Sequence, residues 1–142
     1  MSRALRAMTY DDYNISKDRL HELTAFCKQY QQERQKISYA IRAHSIERPV
    51  QTSGYSDATA QAAIRNASAR NHVQMIEKAA ETATRGLPQE VTKALLLNVT
   101  DRTAAIYLPP MPISDSDFYS LRRYFYSLID TMLRDAVAQY RF

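Results

Sequence analysis

Hydrophobic positions early in the chain recur at alternating intervals of three and four. Leu20, Leu23, Cys27, Tyr30, Ile37 and Ile41 form a seam that runs from about Tyr13 to His44, interrupted by Ser16 and Arg34. Thr9, followed by Tyr10-Asp11-Asp12, has the form of a helix start: a hydroxyl that can cap free N–H groups, then acids at the positive end of the helix dipole. The pattern predicts one long helix, roughly 50 Å at ~1.5 Å per residue, which is too long for a small domain to cover. A second long helix or a second subunit is expected along the seam, so these six positions are the candidate oligomerisation surface.

The periodicity stops in Glu47-Arg48-Pro49-Val50-Gln51-Thr52-Ser53-Gly54, where a proline and a glycine predict a linker over about 47–55. Ser56 is placed to cap a second helix that runs to about Thr84, with Ile64, Val73, Met75 and Ile76 as its larger apolar residues among many alanines. Gly86 ends it. Pro88 opens a short third helix to about Asn98, with Val91, Leu95 and Asn98 tracing one face. The prolines of Leu108-Pro109-Pro110-Met111-Pro112 exclude a continuous helix between Asp101 and Pro112. Ser114 then caps a last helix with Asp115 and Asp117 in its first turn and a stripe of Phe118, Leu121, Phe125, Leu128 and Met132. Tyr119, Arg122, Arg123, Tyr126 and Arg134 lie outside that stripe and are expected on an exposed face.

The expected fold is all-α: a long N-terminal helix with a heptad seam, a second long helix, a short helix, and a C-terminal amphipathic helix. Residues 1–86 form a helical arm and 87–142 a C-terminal module, together one structural unit. Composition agrees, since the 142 residues include only two glycines and five prolines. No tryptophan is present, and many of the apolar residues are alanine or tyrosine, so a monomer would bury a thin core.

Candidate chemistry is sparse. One cysteine gives neither a disulfide framework nor a zinc pattern and suits a reducing cytoplasm. His21, His44 and His72 lack metal-ligand spacing, and two isolated glycines cannot build a phosphate loop. Asp115 and Asp117 are explained by the helix dipole rather than by acid–base work. No enzyme, metal or cofactor is expected. No run approaches the ~18 apolar residues of a membrane span, so a cytoplasmic protein with no membrane partner is expected.

Nineteen Lys and Arg against fifteen Asp and Glu give a net charge of +4, which permits a nucleic-acid partner without requiring one. For the last helix two readings stand: a solvated polar face, or a face whose arginines and tyrosines contact phosphates and base edges.

Four segments together carry a family resemblance: Thr9-Tyr10-Asp11-Asp12-Tyr13 before a long charged helix; Gly54-Tyr55-Ser56-Asp57-Ala58-Thr59-Ala60; Leu87-Pro88 with a leucine-rich helix ending in Asn98-Val99-Thr100-Asp101; and Ile113-Ser114-Asp115-Ser116-Asp117-Phe118-Tyr119-Ser120-Leu121-Arg122-Arg123-Tyr124-Phe125. In this order the chain resembles the small Gram-positive phage regulators of the RinA and ArpU type, whose C-terminal part is similar to region 4 of sigma factors. The resemblance implies a phage or prophage transcriptional regulator with DNA as partner, RNA polymerase as a possible second partner, and a homo-oligomeric state. It implies a modified helix-turn-helix, because Ala104-Ala105-Ile106-Tyr107-Leu108-Pro109-Pro110 stands where such modules have a helix. On it, Ser116, Tyr119, Ser120 and Arg123 are expected at the groove, with Arg122 and Tyr126 at phosphates or a partner. The alternative is a non-enzymatic oligomerising adaptor or packaging protein that uses the seam.

Overall fold

The computed structural model describes residues 7–37, 57–101 and 108–138, with side chains in the second segment from residue 60. Among these residues the fold is all-α, and no strand occurs. Helix α1 spans Lys17–Lys28, α2 Asp57–Ala83, α3 Gln89–Asp101 and α4 Asp115–Ala138.

The N-terminal segment differs from its expected form. Thr9 does act as a cap, but of a single turn: its N–H donates to Asp12 Oδ2 at 2.8 Å, and Asp12 N–H donates back to Thr9 Oγ1 at 3.3 Å. The turn ends at Asn14, whose φ of 59° is left-handed and cannot propagate a right-handed helix. Ile15 then dives into the core at 2 % exposure. Ser16, which breaks the seam in the sequence, is the true N-cap, with its Oγ accepting from Arg19 N–H at 3.1 Å.

Nor is the first helix unbroken. Gln29 caps α1, its N–H shared between the carbonyls of Phe26 and Cys27, and helix resumes over 30–37. Ile41, His44, the linker at 47–55 and the Ser56 cap lie outside the described residues. Of the seam, Leu23, Cys27 and Tyr30 are buried within this one chain, and Leu20 and Ile37 pack partly against the same core. The face expected to recruit a second subunit is covered by the chain's own α3 and α4, against which α1 packs. Tyr30 is fixed further by its hydroxyl, which donates to Glu77 Oε1 of α2 at 2.7 Å.

Helix α2 buries Ala69, Val73, Ile76, Ala80 and Ala83, again at intervals of four and three, with Ala79 beside them. The small side chains admit close approach of α4, with which α2 makes its widest contact. Gly86, at φ 83°, turns the chain out of α2, and Leu87 N–H closes on Thr84 C=O at 3.0 Å. The hydroxyls of Thr84 and Thr92 are hydrogen-bonded across this turn, which ties the end of α2 to the first turns of α3. On the other side of the core α4 contributes Phe118, Leu121, Phe125 and Ile129, each at most 2 % exposed and worth about 1.5–3 kcal/mol of burial.

Candidate nucleic-acid interface

The start of α4 forms as the sequence indicates. Ser114 Oγ accepts from Asp117 N–H at 3.2 Å, and Ser114 C=O accepts from Phe118 N–H at 2.9 Å. This cap directs Phe118 inward and leaves Asp115, Ser116 and Tyr119 exposed, Tyr119 at 41 %.

The other four candidates are not on an open face. Ser120 is 2 % exposed; its hydroxyl donates to Ser116 C=O at 2.9 Å and accepts from Arg123 Nη2 at 3.1 Å. Tyr126 is 3 % exposed, stacked edge-on to Phe125, and burial pushes its phenol far above the ordinary tyrosine range. A phenol so placed packs the core and does not reach a phosphate or a partner, contrary to the expectation from the sequence. Arg122 and Arg123 are half-buried. Arg122 Nη1 donates to Asn98 Oδ1 of α3 at 3.2 Å, and its guanidinium carbon lies 5.7 Å and 6.0 Å from the ring centres of Tyr119 and Tyr126. Arg123 Nε donates to the carbonyl of Met8 at 3.0 Å.

These two arginines differ from Arg19 and Arg134, which both pair with Asp130. Among the described residues neither Arg122 nor Arg123 has a carboxylate within 4.0 Å; their acceptors are an amide, a hydroxyl and a backbone carbonyl. Among the described residues their positive charge is met by neutral dipoles rather than by a carboxylate.

Sequence reasoning missed three parts of this cluster: the Met8 carbonyl, Tyr10 and Asn98 as the brace of Arg122. Tyr10 is half-buried beside the pair, with burial raising its pKa and the charges of Arg122 and Arg123 offsetting part of that rise. Asn98 could have been suspected, since it shares a face of α3 with Val91 and Leu95. Nothing in the sequence signals that the opening turn crosses α4.

Burial raises the Cys27 thiol to about 12, so it carries no reactive thiolate near neutral pH. Among the described residues no group of three or more His, Cys, Asp or Glu is placed to hold a metal ion, and no helix is long and apolar enough to cross a membrane. Compared with protein-family models, with curated proteins and with solved structures, the chain matches none.

Proposed function

We propose that this chain is a cytoplasmic transcriptional regulator of phage or prophage type, which performs no chemistry and binds DNA with the start of α4 and the arginine pair behind it. The observation that carries the reading is the state of Arg122 and Arg123: two adjacent guanidiniums held by neutral acceptors, next to a capped helix start that leaves Ser116 and Tyr119 exposed. Ser116 and Tyr119 are the groups for the groove, and the arginines reach phosphates. Ser120 and Tyr126 hold the arginines from beneath and take no part in contact. The resemblance to RinA- and ArpU-type regulators supports the same assignment, with RNA polymerase as a second partner. Homo-oligomerisation would supply a second half-site.

The test is fluorescence anisotropy with duplex DNA from upstream of the gene, over a salt series and against scrambled competitor. Saturable, competitor-resistant binding that weakens with salt is expected, and Arg123→Glu should lower affinity and reduce the salt slope by about 1 or more. Undiminished binding by that variant would remove the arginine pair from the interface.

A second reading, that of an assembly or packaging adaptor, is favoured by one observation. The first half of α2 is exposed over 60–65, with Ile64 at 68 %. Since Leu23, Cys27 and Tyr30 are buried within the chain, copies would associate through this face instead of the seam. An oligomer by light scattering that Ile64→Glu dissociates, together with indifference to DNA, would establish that reading over the first.

A further inference from the structure

We infer that residues 8–14 form a strap that closes over Arg122 and Arg123 and competes with the DNA backbone for them, so that DNA binding is autoinhibited; this rests on the DNA reading above.

The strap lies far from α4 in sequence but directly against it in space. Arg123 Nε donates to Met8 C=O across a separation of 115 residues, and Tyr10 and Tyr13 pack partly against the core beside the same arginine. Its shape is set internally. The Thr9–Asp12 bonds close the turn, Ile15 N–H reaches back to Tyr10 C=O at 2.9 Å, and the left-handed Asn14 separates the strap from α1. A phosphate oxygen that bonds Arg123 Nε must occupy the position the Met8 carbonyl holds.

The contact is suited to displacement. The Met8 carbonyl is a neutral acceptor, whereas a phosphate oxygen adds the attraction of opposite charges and can be bonded by both arms of the guanidinium fork. Thr9, Asp11, Asp12 and Asn14 are exposed, and between the anchor at Ile15 and the bond at Met8 the segment is held by the half-buried Tyr10 and Tyr13 alone, with no fully buried side chain. Asp11 and Asp12 add two negative charges to the outer surface of the strap, which disfavour an approaching duplex until it opens. The closed strap thus leaves Ser116 and Tyr119 accessible but withholds the phosphate contacts that dominate affinity.

The experiment uses the full chain with Thr9→Val and Asn14→Ala together. Both residues are exposed and neither change alters charge; the first removes the hydroxyl bonds of the turn and the second places a residue that tolerates φ 59° poorly. Affinity for a fluorescein-labelled duplex should rise about threefold to tenfold, in proportion to the rise in open strap. Adding Arg123→Ala should abolish the gain. In the unsubstituted protein, saturating duplex should speed hydrogen exchange at the amides of Asn14 and Ile15. If the full chain binds DNA but the double variant binds no tighter and exchange is unchanged, the strap inference is overturned and the DNA reading stands. If neither protein binds duplex at low salt, the DNA reading fails and the inference falls with it.

Discussion

Arg19 and Asp130, 111 residues apart, are joined by a 2.6 Å bond from Nε to Oδ1, while Arg134 Nε reaches the other oxygen of the same carboxylate at 3.1 Å. The Asp130 side chain is 8 % exposed, against 25 % for Arg19 and 62 % for Arg134. The carboxylate is therefore the buried member, and its two partners are graded by solvent. Removing it leaves Arg19 only its 2.9 Å bond to the exposed Glu22; removing Arg134 leaves the Arg19–Asp130 pair intact.

Asp130→Ala should cost about 1.5–3 kcal/mol in guanidinium unfolding, the range for a lost hydrogen bond to a charged group, because Arg19 keeps Glu22. Arg134→Ala should cost under ~0.5 kcal/mol, as for an exposed i,i+4 pair. Arg19→Ala should fall between them, since Asp130 would keep Arg134. Equal losses for Asp130→Ala and Arg134→Ala would show that Arg19 does not carry the contact.

His72 stacks on Phe26 at 4.0 Å between ring centres, and its Nε2 is buried without a described partner. Burial holds its pKa below the ordinary histidine value; Glu33 and the Phe26 backbone act against that shift, and Lys36 with it. The native state thus takes up this proton less readily than the unfolded chain. Its contribution to stability is present above the unfolded pKa and is lost as pH falls through it. The unfolding midpoint should decline as pH falls below about 7, and His72→Phe, which retains the ring contact with Phe26, should flatten that decline. An identical pH profile in the variant would assign the effect to other groups.

Gly86 and Asn14 both have positive φ, 83° and 59°. A Cβ added at Gly86 would meet nothing within 4 Å, so the cost of Gly86→Ala is conformational alone, about 1 kcal/mol in thermal or denaturant unfolding. Asn14→Gly should change stability by less than ~0.5 kcal/mol, because the conformation suits both residues. A loss well above ~2 kcal/mol at Gly86 would mean that the turn has no room for a side chain.

Several local signals read correctly, although Thr9 caps only a single turn and Ser16, not Thr9, starts α1. The Ser114 cap, the Gly86 turn, the proline before α3 and the inward stripe of α4 all depend on residues within a turn of one another. Long-range coverage was not visible. The three-four spacing of Leu23, Cys27 and Tyr30 shows that a face is covered, but it is the same whether the cover is another chain or α3 and α4 of this one. The helical wheel places Ser120 about 200° from Phe118, on the far side of α4, yet Ser120 is buried beneath the arginine that Met8 holds. A polar residue enclosed by a segment more than a hundred positions away leaves no periodic trace. The arginine pair was identified from the Arg122-Arg123 segment itself; that its acceptors are neutral required the fold.

The ion pair between Arg19 and Asp130 also bears on how the chain is made. Helix α1 packs on α3 and α4, both of which lie later in the sequence, and its buried arginine contact arrives 111 residues after it. At ~5–20 residues per second, a ribosome makes Leu23, Cys27 and Tyr30 roughly 5 to 20 s before Asp130. Once it has left the ribosome the first helix presents its apolar side to its surroundings, and native closure of the core must wait until Asp130 has emerged.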